Sequence, residues 1–190
     1  MHLLAAQPGG FVEEEGIVDL NQDPASVIIL AAADTSLTML ATAAEQLGDA
    51  LPSMRLANWS HLLKPAAFDL YEHKVLEHAQ LVVVSLLGGA SYWNYGFERL
   101  QAWQQAKPNR QLVLIPGDDA EDPELTLASS CEPSVCQMVW QYLRQGGVGN
   151  GINLLKFLNQ SLLLNNKSQW QPLPNYLRPS FISPVSPKRV

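Results

Sequence analysis

The chain has 190 residues, of which 47% are hydrophobic and 16% charged, and a formal net charge of −6. That composition is globular and excludes a disordered chain; a chain of this length buries roughly 70% of its unfolded surface, enough for one full core. The acidic balance argues against a nucleic-acid partner, because phosphate contacts need clustered Lys and Arg.

Residues 1–24 read as irregular, with Pro8-Gly9-Gly10, Glu13-Glu14-Glu15-Gly16 and Asp23-Pro24, yet Phe11, Val12, Ile17, Val18 and Leu20 are apolar and predict a segment lying across the body. Val27–Ala32 is a short continuous apolar run, the pattern of a strand covered on both faces. Asp34 is placed to N-cap a helix carrying Leu37, Leu40, Ala41, Ala44 and Leu47, with Gly48 at its end. A weaker strand lies around Met54–Ala57, and a helix is expected over Ala66–Ala79 with Leu70, Val75, Leu76 and Ala79 as its stripe. Leu81–Leu87 is the clearest strand and ends at Gly88-Gly89. Phe97, Leu100 and Trp103 predict a helix closed by Pro108, and Gln111–Ile115 a fourth strand stopped by Pro116-Gly117. Helices over about 133–145 and 151–164 flank a glycine-rich stretch, Gly146–Gly151.

Strands alternating with helices imply βαβ units with right-handed crossovers. The fold expected is α/β, a small open, mostly parallel sheet of flavodoxin-like or Rossmann-like type with extra C-terminal helices. Residues 1–170 form the domain. From about Gln171 five prolines, at 172, 174, 179, 184 and 187, mark residues 171–190 as a linker or a truncated tail.

The 18 acidic residues all lie before position 133, beside 6 bases, and residues 133–190 carry 6 bases and no acid. Without a basic run or interleaved aromatics, the basic part is expected to pack on the acidic body or on a partner. The opening Met1-His2-Leu3-Leu4-Ala5-Ala6-Gln7-Pro8 has no basic start and too short an apolar run for a signal peptide, and no stretch approaches the ~18 apolar residues of a membrane span. Cys131 and Cys136 are not a C-x-x-C pair and make no disulfide framework, so a cytoplasmic protein with reduced thiols is expected.

Ligands of open parallel sheets bind beyond the carboxyl ends of the strands. Here those ends are Asp34, Gly88–Gly96 and Pro116-Gly117-Asp118-Asp119. Gly88 and Gly89 allow backbone to approach a ligand, and Tyr92, Trp93 and Tyr95 offer flat faces for a planar ligand or a partner; the alternative is a tight turn with a hydrophobic plug. Asp118 and Asp119 present carboxylates to a cation or a basic partner, or simply stop a strand and cap the next helix. Gly146–Gly151 matches half of a P-loop, but Ile152-Asn153 replaces Lys-Ser/Thr, so it reads as a helix–helix loop. Asp69, His73 and Glu77 share a helical face with His78 nearby; a metal site and a solvated face with charge pairs are the two readings, and the second is preferred. No nucleophile or catalytic residue stands out, and Cys131 and Cys136 read as partly buried small residues.

Several stretches carry a resemblance in the same order: Met1-His2-Leu3-Leu4-Ala5 with Gly16-Ile17-Val18-Asp19-Leu20, Ile29-Leu30-Ala31-Ala32-Ala33-Asp34-Thr35, Leu51-Pro52-Ser53 with Arg55-Leu56-Ala57-Asn58, Asp69-Leu70-Tyr71, Leu86-Leu87-Gly88-Gly89 with Tyr92-Trp93-Asn94-Tyr95-Gly96, and Pro116-Gly117-Asp118-Asp119. Together they resemble the amino-terminal segment of the cobaltochelatase large subunits (CobN), a family related to the magnesium chelatase large subunit, to about residue 174. The resemblance implies a subunit that binds a tetrapyrrole. With two smaller subunits, one an AAA+ ATPase, it inserts cobalt into hydrogenobyrinic acid a,c-diamide in aerobic cobalamin biosynthesis. ATP, Mg and Co are then used by the full complex, and no cofactor is expected in this chain.

Family members are many times longer, and their metal-insertion region lies downstream. This chain stops after Pro172-Leu173-Pro174, where a further strand is expected, and Ser180–Val190 matches nothing in the family, as a truncation, a split gene or a frameshifted end would give. No metal insertion by this chain alone is expected. Its expected role is a scaffold or assembly surface, with Gly88–Gly96 and Asp118-Asp119 on the working edge toward a tetrapyrrole or a neighbouring domain. The rival readings are a free-standing module carrying a nucleotide, flavin or corrinoid on a flavodoxin-like sheet, and a fragment without activity. The D-x-H-x-x-G of common corrinoid carriers is absent.

Overall fold

The computed structural model describes residues 13–14 and 17–163. The expectations for residues 1–12, 15–16 and the proline-rich tail lie outside the described residues. Within the amino-terminal segment a two-stranded antiparallel pair forms where irregular chain was expected, β1 (Glu13–Glu14) opposing β2 (Ile17–Val18), whereas residues 19–24 are irregular as expected and Leu20 packs into the core.

The body is built on four parallel strands, β3 (Val27–Ala31), β4 (Met54–Asn58), β5 (Leu81–Leu86) and β6 (Gln111–Pro116), in the order β4–β3–β5–β6. They start in line, with Val27 opposite both Met54 and Leu81, and Leu81 opposite Gln111. The expected α/β class is therefore present, with a wholly parallel sheet. Side chains alternate strictly between two cores. Val27, Ile29, Val83 and Val113 face α1 (Asp34–Leu47), α5 (Pro133–Gln145) and α6 (Val148–Phe157). Ile28, Leu30, Val82 and Leu112 face α2 (Pro65–Lys74), α3 (Asn94–Gln105) and Leu125 of α4 (Pro123–Ala128). The chain leaves β3 toward one edge and returns past it to β5, so crossovers of one hand must put α1 and α2 on opposite faces, as they lie.

Element boundaries differ from the expectations where packing overrides periodicity. The helix expected over Ala66–Ala79 stops at Lys74 and continues as a 3-10 turn over Leu76–His78. Its buried stripe is Ala67, Phe68 and Tyr71, with Val75 just beyond, and Leu70 is only half-buried. Helix α6 begins at Val148, inside the glycine-rich stretch, and widens to a π-helix over Leu158–Leu163. Gly151 lies within α6 where α1 and α6 approach closely; a Cβ there would sit 3.1 Å from that of Ala43.

The open side of β6 is closed by two hydroxyls. Leu112 N and Leu114 N donate to Ser130 Oγ and Ser129 Oγ, both at 2.8 Å, and Ser130 N donates to Leu112 O at 2.8 Å. These bonds stand in for a neighbouring strand along part of an otherwise open edge. Arg110 is a second latch. It is buried, sits 4.7 Å over the Trp103 ring, and donates to Trp103 O at 2.7 Å and Glu77 O at 2.9 Å. A guanidinium on carbonyls at the end of α3 is favoured by the helix dipole, and burial still holds its pKa below the ordinary value.

Two stability predictions follow from the α2–α3 layer. The Trp93 indole lies against Gly96, where a Cβ would fall 2.1 Å from Trp93 Cε2; Gly96→Ala lowers stability by about 1–3 kcal/mol in urea unfolding. Tyr71 is buried and donates to Gln22 Oε1 at 2.9 Å, and burial pushes its phenol well above the ordinary tyrosine range against the opposing charge of Arg55. Because the folded pKa is raised, the contribution is complete below about pH 10 and is lost as pH rises beyond it. Tyr71→Phe therefore loses less stability than the parent between neutral pH and about pH 11, read as the difference in urea midpoints.

Candidate functional site at the carboxyl edge of the sheet

The sheet reverses its winding between β3 and β5, and a cleft of about 590 Å³ opens where it does so. This is the place where open α/β sheets seat ligands. Its floor is Ala32, Ala33, Ser85 and Leu87 at the ends of β3 and β5; its walls come from the start of α1 with Thr35 and Ser36, from Asp118 and Asp119, and from Trp140, Arg144, Gly146 and Gly147. Gly117 is required by close approach, since a Cβ there would stand 2.8 Å from Leu87 N. Gly117 N donates to Leu86 O at 2.7 Å, which ties the two loops.

The cleft is polar on one side. Trp140 Nε1 donates to Asp118 O at 3.0 Å, Arg144 Nε donates to Asp119 Oδ1 at 2.9 Å, and the Arg144 guanidinium stands 5.2 Å from the Trp140 ring centre. Arg144 is one of the six bases of residues 133–190, and it meets an acid of the preceding body at this point. Asp118 Oδ1 accepts from Ala120 N at 3.1 Å. Neither Asp118 nor Asp119 caps the next helix. That task falls to Asp122, whose Oδ1 accepts from Glu124 N at 3.0 Å and Leu125 N at 3.2 Å. Asp34 likewise does not cap α1; the cap position is Ala33, and Asp34 Oδ1 accepts from Asn58 Nδ2 at 3.0 Å.

Of the seven ligand or interface candidates Gly88, Gly89, Tyr92, Trp93, Tyr95, Asp118 and Asp119, the last two line this cleft, beside Pro116-Gly117 from the same turn and Gly146-Gly147 from the glycine-rich stretch. Gly88 and Gly89 make the turn after β5 with φ of 83° and 74°. The three aromatics that follow separate. Trp93 is a plug: it is buried, stacked 5.2 Å from Trp59 and edge-on to Phe68 at 5.4 Å. Its indole N–H has no partner among the described residues. Tyr95 donates to Asp69 Oδ1 at 2.6 Å, beside an Arg99–Glu72 ion pair at 2.6 Å, so it joins α3 to α2. The bond to Asp69, then burial and the Asp69 charge, raise the Tyr95 phenol. Tyr92 alone is free to meet a partner, 64% exposed, with its edge toward Trp59 at 5.9 Å. Exposed Leu87 and Leu127 lie near the same end of the sheet, after β5 and on α4.

Asp69 is engaged by Tyr95 and Arg99, which separates it from His73 and Glu77; those two form their own contact at 3.6 Å. Among the described residues no group of three or more His, Cys, Asp or Glu is arranged to hold a metal ion. Trp140, Arg144, Thr35 and Ser36 were not legible as site residues. The four-residue spacing of Trp140 and Arg144 before Gly146-Gly147 was the available signal, and it reads equally well as a helix end.

The geometry defines a class: a doubly wound α/β domain with its cleft at the winding reversal. No protein-family model matches the chain. It is 47% identical over 150 residues to the aerobic cobaltochelatase subunit CobN of Pseudomonas aeruginosa, covering 79% of this chain and 12% of that protein. It is 39% identical over 151 residues to the same subunit from a Sinorhizobium species, again 79% and 12%. Among solved structures, the catalytic subunit of cobaltochelatase from Mycobacterium tuberculosis matches with a TM-score of 0.59 and 29% identity, over 77% of this chain and 11% of that one. The chain belongs to the CobN cobaltochelatase family and spans about 12% of the length of the curated relatives it matches. No described helix is long and apolar enough to cross a membrane.

The cleft's two polar members should separate in urea unfolding. Asp119→Asn changes stability by less than about 1 kcal/mol, because its pair with Arg144 is exposed. Trp140→Ala costs about 3–5 kcal/mol, because its ring fills the core between α5 and the sheet.

Proposed function

We propose that this chain is the leading α/β domain of a cobaltochelatase large subunit and serves as a scaffold and assembly surface, with metal insertion carried out elsewhere in that subunit. On this reading residues 1–170 are the domain and 171–190 a linker or a truncated tail. The complex inserts cobalt into hydrogenobyrinic acid a,c-diamide during aerobic cobalamin biosynthesis, in the cytoplasm, with ATP and Mg used by an AAA+ partner and a second small subunit. One observation carries the reading: 47% identity to CobN over most of this chain falls on a segment that makes up 12% of that subunit. The surface chemistry agrees with it. Leu87, Tyr92 and Leu127 leave apolar area open at the cleft end of the sheet, which a neighbouring domain would cover.

Cobalt is a substrate here. Seating it needs several converging donors, and the described residues bring no three His, Cys, Asp or Glu side chains together to hold an ion. What they bring together suits docking: a rigid floor of strand ends, a Trp–Arg pair and projecting apolar side chains.

The test uses the large subunit of Pseudomonas aeruginosa with its matching segment removed, the two smaller subunits, and the 190-residue chain added in trans. Cobalt insertion, followed by the change in tetrapyrrole absorbance, is expected to recover on addition, and the chain alone gives none. Leu87→Asp with Tyr92→Ala should weaken association at least tenfold in titration calorimetry without unfolding the domain, since both side chains are exposed. Insertion by the isolated chain, or no association with the remainder, overturns the proposal.

The cleft favours a second reading, a small-ligand module on a flavodoxin-like fold. Its volume of about 590 Å³ is large enough for a nucleotide-sized or flavin-sized molecule. A yellow purified protein, or saturable binding of a flavin in fluorescence titration, is the outcome that selects it.

A further inference from the structure

Cys131 and Cys136 are five positions apart and belong to no recognised pairing motif, yet the fold brings their sulfurs to 3.3 Å without a bond between them. The approach is set by backbone. Cys131 immediately precedes Glu132, the cap of α5, and Cys136 sits in the first turns of that helix. Val135 N and Cys136 N both donate to Glu132 O, at 2.8 and 3.3 Å, which fixes the turn and directs the second thiol back to the first. Cys136 is buried in the core, and Cys131 is partly exposed at its margin.

We propose that Cys131 and Cys136 are an oxidisable dithiol, a modification site that a peroxide converts to an intrachain disulfide and a small-molecule dithiol restores. The two sulfurs have unequal surroundings, as such a pair requires. The hydrogen bond from Cys131 lowers the Cys136 thiol, and a bond from Ser129 adds to it; against the cost of burial they bring it to about 7. The bond to Cys136, then burial and the Cys136 charge, push the Cys131 thiol up. Cys136 is thus the more acidic thiol of the pair and Cys131 the less acidic. A way in exists as well. Cys136 lies on the wall of a second cleft of about 520 Å³ between α4 and α5, shared with Asp122, Pro133, Gln137 and Trp140, and a peroxide needs only two heavy atoms' space.

The chemistry balances in two steps. The Cys136 thiolate attacks one oxygen of hydrogen peroxide; an S–O bond forms, the O–O bond breaks, and hydroxide leaves and takes a proton from solvent. The Cys131 sulfur then attacks the sulfenic sulfur; an S–S bond forms, the S–O bond breaks, and the Cys131 proton departs with the hydroxide as water. Two thiols are oxidised and one peroxide is reduced to two waters. The return is exchange with an external dithiol. Bond formation closes the sulfurs from 3.3 Å to about 2.05 Å. Cys136 lies one helical turn before Trp140, which lines both this cleft and the one at the winding reversal.

The experiment treats the native 190-residue chain with a small molar excess of hydrogen peroxide and reads the intact mass and the free-thiol count in denaturant. The expected result is a monomer lighter by two hydrogens with no free thiol, returned to two thiols by dithiothreitol. Cys131→Ser should accumulate a sulfenic acid at Cys136 that dimedone traps, and Cys136→Ala should leave Cys131 unreacted at the same dose, at least tenfold slower. Two intact thiols in the parent chain, sulfinic acids in place of the mass loss, or a disulfide between two chains overturns the proposal. The parent-chain mass decides the matter even where the buried Cys136 substitution disturbs folding.

Discussion

All five residues of β3 are buried, and this one demand organises the molecule. A strand at the centre of a parallel sheet must be covered on both faces, because its neighbours are joined through helices that pack there. Val27, Ile29 and Ala31 go to one core, and Ile28 and Leu30 to the other. Once both faces are covered, the accessible backbone is confined to the strand ends and edges. Part of the edge at β6 is closed by Ser129 and Ser130, and the carboxyl ends, where the cleft opens, are the part of the sheet free to meet a ligand or partner. The cleft's position is thus a consequence of burial and of the reversal between β3 and β5.

The same logic separates residues that look alike in sequence. Tyr92, Trp93 and Tyr95 lie within four positions and have comparable affinity for flat surfaces. A short turn leading into α3 sends them in three directions. Trp93 enters the core between Trp59 and Phe68, Tyr95 bonds across to α2, and Tyr92 faces solvent. The plug is strong enough to demand Gly96 beneath it and to leave an indole N–H without a partner among the described residues, a desolvation cost of about 1–3 kcal/mol that the aromatic packing must offset.

What was legible in the sequence follows from which signals are local. Apolar runs identified β3, β5 and β6, because a doubly covered strand has little polar alternation to obscure it, while β4, an edge strand carrying Arg55, gave the weaker signal. The order of strands and helices gave the class. Less legible was anything set by distant contact. Leu70 has the right period for a buried stripe, yet Phe68 and Tyr71 take it, because α2 is oriented by its contacts with Trp93 and Gln22. Gly149 and Gly151 look like loop residues and are helical, and at Gly151 the close approach of α1 selects a small side chain. Asp118 and Asp119 were legible as residues beyond a strand end, but Trp140 and Arg144 come from a helix more than twenty positions later. The Trp–Arg spacing has no meaning until α5 is docked.

Cysteine shows how far topology can change a residue's meaning. At five-position spacing neither thiol implies the other, and each alone is a small hydrophobic residue. The cap at Glu132 turns the chain so that Cys131 faces the second turn of α5, and one sulfur becomes the hydrogen-bond donor of the other. Their asymmetry has a local source: Ser129, one of the pair of residues that closes part of the β6 edge, bonds to Cys136 and lowers it, while Glu132 beside Cys131 adds to the rise of that thiol. Edge closure, helix start and thiol environment are therefore one local structure, built from the consecutive residues Ser129, Ser130, Cys131 and Glu132.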